Sequence, residues 1–183
     1  MPNTSPLLTV DEFLRLPSSE CLRELVRGRV IESKLRTPRH GEVCSEIVAR
    51  LWSHVKPQRI GRVIGGNAAV ITRRDPDCMR GPDVAYYSYE RLPADKLPAG
   101  HLNAIPDLVI DVLDAGDHWS DVIEKALEYL HAGVRVVCLA DPQKENVAVF
   151  RDGQAPKLLH AKDSLSLPDV LPELSVPVGE LFA

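Results

Sequence analysis

Residues 105–130, IPDLVIDVLDAGDHWSDVIEKALEYL, contain the pattern that decides the fold. Residues 108–113 form an apolar run that is interrupted by one charge, Asp111. Because successive side chains of a strand point to opposite faces, a run that is apolar on both faces indicates a buried strand. A carboxylate in such a strand is costly unless a cation, a metal ion or a hydrogen-bond donor compensates it. The first question about this chain is therefore what Asp111 faces.

The second part of this segment predicts a helix that packs back beside the strand. Apolar residues recur at helical spacing, and one lysine, Lys125, lies among them. Ser120 is the candidate N-cap, and Gly133 is typical of the position after a helix C-terminus. Lys125 has two interpretations: a solvated residue paired with Asp121 one turn earlier, or a member of a site with Asp111.

The composition predicts one soluble domain. The chain has 183 residues, of which 44% are hydrophobic and 26% charged, as is typical of a single globular domain, here residues 1–183. No apolar run is long enough to cross a bilayer and the N-terminus does not resemble a signal peptide, so we expect a cytoplasmic protein without a membrane partner. The four cysteines include no CxxC pair, which favours reduced thiols. The net charge of −4 gives no general attraction to nucleic acid.

The remaining elements predict an α/β fold with a mixed central β-sheet, an N-terminal β-hairpin and flanking helices. The hairpin turns at Arg27-Gly28, where the glycine supplies a positive φ. We expect the long connection at residues 89–104 to form a lid or a binding loop, and the C-terminal tail to pack across the body. Further predictions are a short helix at residues 12–16 capped by Thr9 or Asp11, a helix at residues 43–55 that ends before Pro57, a hairpin of residues 62–64 and 68–72, and strands at residues 84–87, 134–140 and 146–150.

Residues 23–40 form a basic segment. They contain six Lys or Arg and two Glu, so the formal charge of the segment is +4 with histidine neutral. The pattern has two interpretations: a surface that faces phosphate groups, or a solvated hairpin whose charged edge discourages aggregation. Binding of DNA by this acidic chain would have to use a local patch of this kind.

Three residues have the chemistry of a hydrolytic site: Asp83, which follows a proline at the start of a strand, Asp111 and Lys125. Carboxylates on neighbouring strands repel each other unless a cation lies between them, and Mg²⁺ prefers such oxygen ligands. A lysine beside them can orient or deprotonate water, or neutralise charge in the transition state. The structural interpretation also stands, because Asp after Pro is a common turn residue. His40 and Cys44 could share a metal ion, although no third ligand is near them in the sequence.

Motifs along most of the chain resemble the Uma-type restriction endonuclease family, a branch of the PD-(D/E)XK nuclease superfamily. They are TVDEFL, RELVRGRVIE, PRHG, MRGPDVAYY, PDLVIDVL, EKALEYLHAGV, VVCLADP and LPDVLPELSVPVGELF, in this order across residues 8–182. The resemblance implies a restriction-endonuclease-like fold and Mg²⁺-dependent cleavage of DNA, with Mn²⁺ as a substitute ion. It implies that Asp83 and Asp111 bind the ion, that Lys125 is catalytic, that Glu24 is a further metal ligand or holds water, and that His40 belongs to the site.

Two departures from the family pattern favour weaker activity. Asp111 stands where relatives usually have glutamate, and its side chain is one methylene shorter. Residues 113–117, Leu-Asp-Ala-Gly-Asp, replace a Ser-Pro loop before the lysine helix. Three hypotheses follow: a metal-dependent DNA endonuclease, for which a homodimer would suit the cutting of two strands; an inactive relative that acts as a DNA-binding or protein-interaction module; and an α/β protein with no role on nucleic acid.

Overall fold

The structure is a computed structural model that describes residues 6–33, 35–95, 97 and 100–183. Within these ranges the elements are, in chain order, α1 (Val10–Phe13), β1 (Leu22–Val26), β2 (Arg29–Ser33), α2 (Pro38–Gln58), β3 (Gly61–Gly65), β4 (Val70–Arg73), β5 (Cys78–Arg80), β6 (Val84–Ser88), β7 (Leu108–Val112), α3 (Trp119–His131), β8 (Val136–Asp141), β9 (Asn146–Phe150), β10 (Lys157–His160), β11 (Ser164–Leu167), β12 (Leu171–Pro177) and a final 3-10 turn (Val178–Leu181).

A six-stranded mixed sheet forms the centre of the fold. Its strand order is β10-β9-β8-β7-β6-β3. β7 and β8 are parallel and α3 connects them, whereas the other neighbours in this sheet are antiparallel. The prediction of a mixed α/β sheet with flanking helices is confirmed.

The two faces of the sheet bury different partners, and alternation along β7 assigns each side chain to one of them. Ile110 and Val112 belong to the core shared with α2 and the C-terminal strands. Val109 and Leu113 pack in the core that includes α3. Asp111, buried with 5% exposure, lies on the same face as Val109 and Leu113, because side chains two residues apart in a strand share a face, and it therefore faces α3.

A second sheet of four strands, in the order β2-β1-β5-β4, carries the N-terminal hairpin. The hairpin turn at Arg27-Gly28 is confirmed, and both residues have positive φ, 49° and 73°. The predicted hairpin of residues 62–64 and 68–72 is wrong, because β3 pairs with β6 in the large sheet and β4 pairs with β5 in the small one. The glycine-rich residues 65–67 thus carry the chain from one sheet to the other.

The helix ends differ from several predictions. Thr9 caps α1 and shares a reciprocal capping box with Glu12, so the helix begins earlier than residue 12. α2 continues through Pro57 to Gln58, and Arg59 with φ 55° ends it. The residue before α3 is His118, so Ser120 is not the N-cap.

Two peripheral predictions have different outcomes. The C-terminal tail does pack across the body, since β11, β12 and the final turn bury apolar side chains in the core that includes α2. The connection at residues 89–104 is described except for Lys96, Pro98 and Ala99. Apolar side chains of its described part pack beside β6, and none of its described residues lines the cleft that contains Asp83 and Asp111. In the described part of the chain, no helix combines the length and hydrophobicity needed to span a membrane.

Candidate functional site

The pairing of β6 with β7 brings the two predicted aspartates together. Val84 pairs with Ile110 in the antiparallel register, so one further step places Asp83 opposite Asp111. The backbone N–H of Asp83 donates to Asp111 Oδ1 at 3.0 Å, and the backbone N–H of Val112 donates to Asp83 Oδ2 at 2.8 Å. Both carboxyl groups are buried, at 7% and 5% exposure, so two acids share one low-dielectric site.

Lys125 joins this pair from α3. Its Nζ atom lies 3.1 Å from Asp111 Oδ2 and 3.2 Å from Glu24 Oε1, and it also donates to the carbonyl oxygen of Gly81 at 3.2 Å. The side chain is 18% exposed, so the interpretation as a solvated lysine paired with Asp121 is wrong. The position on the buried stripe of α3 brings the ammonium to the carboxylate that faces this helix.

Glu24 reaches the same point from β1 in the small sheet. Its Oε1 atom accepts the backbone N–H of Gly81 at 2.8 Å as well as Lys125, and its Oε2 atom accepts Arg80 at 3.1 Å. Burial alone would raise the pKa of Glu24, but the Lys125 charge, the Gly81 bond and the Arg80 charge lower the pKa below its ordinary value. Glu24 is therefore an ionised partner that holds Lys125 in place.

His40 approaches Asp83 from the first turn of α2. Its Nε2 atom lies 3.2 Å from Asp83 Oδ2, and both side chains are buried. Cys44 follows one turn later on the same helix, with its Sγ atom 3.6 Å from His40 Nδ1. The structure thus brings all five predicted site residues into one cluster, and it adds Cys44 to that cluster.

Sequence reasoning missed two charged residues beside the site. Arg80 in β5 forms ion pairs with Glu24 at 3.1 Å and with Glu128 of α3 at 2.7 Å, and Thr72 donates a hydrogen bond to Glu128. Arg80 is 9% exposed. The sequence did contain a signal for Arg80, because a charged residue in a short apolar strand needs a partner as much as Asp111 does. It also contained one for Glu128, which lies one turn after Lys125 on α3.

The pKa values of the three central groups shift in different directions and for different reasons. Burial would raise the pKa of Asp83, but bonds from His40 and Val112 and the Lys125 charge lower that pKa. Burial raises the pKa of Asp111, and the Asp83 charge adds to the rise against the effect of Lys125. Burial would lower the pKa of Lys125, but the charges of Asp111, Glu24 and Asp83 raise it, so this side chain is an ammonium at neutral pH.

Part of this cluster lines a cleft of about 210 Å³. Glu24, Asp83, Asp111 and Lys125 form its acidic and basic floor, and Arg36 lies on its wall. Asp83 and Asp111 supply only oxygen donors, and their mutual repulsion is the condition that a bound divalent cation relieves. The donor set therefore fits a hard divalent ion held by these two carboxylates.

The basic segment beside the cleft is largely paired within the chain. Arg27 forms an ion pair with Glu124 at 2.6 Å, and Arg36 forms one with Asp117 at 2.8 Å. Arg39 pairs with Glu42 at 2.8 Å. Lys34 lies outside the described residues. The segment therefore offers less unpaired positive charge to phosphate groups than its sequence suggests.

Residues 113–117, in the loop before α3, bind the N-terminal end of α2. Asp114 accepts the backbone N–H of Thr37 at 2.9 Å and the Thr37 hydroxyl at 2.8 Å. Asp117 accepts the Asp114 N–H at 2.9 Å and binds Arg36. The carboxylates of this loop thus form hydrogen bonds beside the cleft. With the loop in this conformation, Lys125 is in contact with Asp111.

Comparisons with known proteins agree with the geometry. A family model for Uma2, described as "Putative restriction endonuclease", matches residues 10–179. The crystal structure of a protein from Anabaena variabilis, described as "a putative nuclease belonging to DUF820", has a TM-score of 0.85 at 27% identity and covers 96% of this chain and 97% of that chain. A search of curated proteins found no match. Because the family model spans nearly the whole fold, this chain belongs to the Uma2 restriction endonuclease family.

Proposed function

We propose that this chain is a metal-dependent endonuclease that hydrolyses phosphodiester bonds of DNA, with Mg²⁺ as its ion and Mn²⁺ as a substitute. The observation that carries the proposal is the meeting of Asp83, Asp111 and Lys125 at the base of one cleft. Family membership and the likeness to the Anabaena variabilis protein support a nuclease-like activity.

Asp83 and Asp111 would hold the ion. When bound, Mg²⁺ would polarise the scissile phosphate and lower the pKa of a water molecule. Burial and the Asp83 charge raise the pKa of Asp111, and a divalent cation between the two carboxylates, in addition to Lys125, would lower that pKa and favour both ionised forms. Glu24 as a third ligand remains a prediction, and it would require exchange of the bond to Lys125 or to Arg80.

The roles of the protein groups follow from their contacts. Lys125 is held as an ammonium, so its role is to donate a hydrogen bond and to stabilise negative charge on the phosphate rather than to remove a proton. Glu24 holds the lysine and is itself held by Arg80, and His40 holds the Asp83 carboxylate. Cutting of two strands would call on two such sites, so a homodimer belongs to the proposal.

DNA would enter across the basic segment. Arg36 lies on the cleft wall and is bound to Asp117, so a backbone phosphate could take the place of that carboxylate as the arginine's partner. The exposed arginines of residues 23–40 would add contacts that depend on salt concentration.

The test is nicking of supercoiled plasmid DNA with Mg²⁺ or Mn²⁺. Asp83→Asn and Lys125→Met should each lower the rate by about 10²–10⁴-fold, because the first removes a charged ligand of the ion and the second removes the ammonium that acts on the reacting phosphate. Lys157→Met is the matched control, since this exposed lysine lies on the distant strand β10, and it should cleave like the wild type. Cleavage that persists in folded Asp83→Asn and Lys125→Met at the wild-type rate would overturn the proposal.

One observation favours an inactive, DNA-binding relative as the second candidate. Both oxygens of Asp111 already have protein partners, the Asp83 N–H and Lys125. This candidate predicts no cleavage of varied DNA substrates with any divalent ion, together with binding of labelled DNA that weakens with salt. Fluorescence anisotropy in the presence of EDTA separates the two candidates from a protein with no role on nucleic acid, which would show no binding.

A further inference from the structure

Asp83 lies between two cavities that differ in chemistry. The first is the cleft described above, and the second is an open groove of about 640 Å³ along α2. Among the described residues that line these cavities, Asp83 is common to both. The rest of the groove is lined by Gly66 and by residues of α2, which are Cys44, Ser45, Val48, Ala49, Trp52 and Ser53. Asp83 is thus accessible from a side that contains neither Asp111 nor Lys125.

Three different donor atoms meet where the groove reaches Asp83. His40 Nε2 lies 3.2 Å from Asp83 Oδ2, and Cys44 Sγ lies 3.6 Å from His40 Nδ1 and 4.0 Å from His40 Nε2. One donor atom from each of the three residues lies within 4.8 Å of the others. An imidazole, a thiol and a carboxylate therefore surround one point.

The identity of these donors selects the ion. In a tetrahedral zinc site with ordinary Zn–S, Zn–N and Zn–O bonds, neighbouring ligand atoms lie about 3.3–3.6 Å apart. The separation of His40 Nε2 and Asp83 Oδ2, 3.2 Å, is already of this size, and a small rotation of the Cys44 side chain would shorten its 4.0 Å separation from Nε2. Thiolate and imidazole suit Zn²⁺, whereas Mg²⁺ takes oxygen ligands.

We propose that His40, Cys44 and Asp83 form a Zn²⁺ site that opens to the groove along α2, distinct from the Mg²⁺ site on the other side of Asp83. Three protein ligands leave a fourth position for water, and the groove supplies the path for the ion. The Val112 N–H, which donates to Asp83 Oδ2 at 2.8 Å, orients the shared carboxylate. Binding releases the Cys44 thiol proton to solvent and leaves a thiolate on the ion.

Cys44 has a simpler interpretation besides that of a zinc ligand. The simpler interpretation is a small apolar residue that fills space beside His40. The two interpretations differ in whether the thiol binds an ion, and this difference is measurable.

Co²⁺ is the probe, because it replaces Zn²⁺ and a cobalt–thiolate bond adds a charge-transfer absorption in the near ultraviolet. We expect this band in the wild-type protein and its loss in Cys44→Ser and Cys44→Ala. Cys21→Ser is the matched control, since Cys21 is exposed and far from the cluster in sequence, and it should keep the band. Outer-shell changes alone weaken metal sites by about 10–100-fold, so loss of the Cys44 ligand should weaken Zn²⁺ binding in calorimetry by at least this factor.

Absence of the band in folded wild-type protein, or an equal band in the two Cys44 variants, would overturn the zinc site. This readout does not depend on cleavage. A second experiment rests on the proposed nuclease function: Zn²⁺ that occupies Asp83 should inhibit Mg²⁺-dependent nicking, and Cys44→Ser should be inhibited at least about tenfold less when each protein is compared with its own zinc-free rate. If no variant cleaves DNA, the nuclease proposal fails while the cobalt spectra still decide the zinc site.

Discussion

The two ends of strand β7 each hold a buried aspartate, and their surroundings differ. Asp107, just before the strand, is 1% exposed, forms ion pairs with Arg91 at 3.1 Å and Arg135 at 3.5 Å, and accepts the Ser88 N–H at 2.8 Å. Asp111, within the strand, faces a second aspartate and a single lysine at the base of a cleft. Asp107 thus has two arginine partners, whereas Asp111 shares the Lys125 ammonium with Glu24 and Asp83.

This difference separates a structural charge from a reactive one. Two arginines and a backbone N–H compensate Asp107 within the protein, so no further cation is needed there. Among the described residues, the carboxyl groups of Glu24, Asp83, Asp111 and Glu128 meet the ammonium of Lys125 and the guanidinium of Arg80, so acids outnumber these two cations, and the cleft leaves room for an added ion. An incomplete charge balance beside a cavity, rather than burial alone, marks the candidate site.

The largest expected effect comes from replacing each of the two aspartates, Asp107 and Asp111, with asparagine. Asp111→Asn should lower plasmid nicking by about 10²–10³-fold, because it removes a charged group from the candidate site. Asp107→Asn should cleave at nearly the wild-type rate per folded molecule, while its unfolding free energy in urea should fall by about 1–3 kcal/mol as Arg91 and Arg135 lose their partner. Equal losses of cleavage in both variants would remove the distinction between the two ends.

The next test concerns the arginine that supports the site. Arg80→Met should lower the unfolding free energy by about 3–5 kcal/mol, because it leaves Glu24 and Glu128 as buried charges with less compensation. Arg50→Met is the control: Arg50 binds Glu46 and Glu180 at the surface, where solvent screens such pairs, so this variant should unfold at nearly the wild-type urea concentration. Urea unfolding of the three proteins measures both values, and similar losses in the two variants would contradict the buried role of Arg80.

The smallest expected effect is on acid stability. The pKa of Glu24 is lower in the folded chain than its ordinary value of about 4.3, so its stabilising effect is present above this pH and is lost as the pH falls through the lower folded pKa. Asp111, whose pKa is raised, has the opposite sign and gains stability on protonation. Glu24→Gln should therefore lose less stability than the wild type between about pH 5 and 3. Parallel curves from urea unfolding at a series of pH values would contradict this assignment.

Local patterns predicted the parts of the site that lie on one element. The apolar run placed Asp111 inside a strand, and helical spacing placed Lys125 on the following helix, although it left open whether this lysine is solvated or meets Asp111. Patterns of this kind could not choose sheet partners, so the turn at residues 65–67 predicted a hairpin although β3 and β4 belong to different sheets. A glycine turn has the same local signal whether the chain returns to its own sheet or crosses to another.

The sequence alone therefore determined that this chain has a mixed α/β fold with a charged residue in a buried strand, because strands and helices differ in the spacing at which apolar residues recur within a short segment. The tertiary structure decided which groups meet that charge. Pro106-Asp107 and Pro82-Asp83 have the same sequence pattern, yet the first aspartate meets arginines and the second meets His40 and Asp111. Such contacts join residues far apart in the chain, and the pairing of β6 with β7 and the packing of α2 and α3 create them.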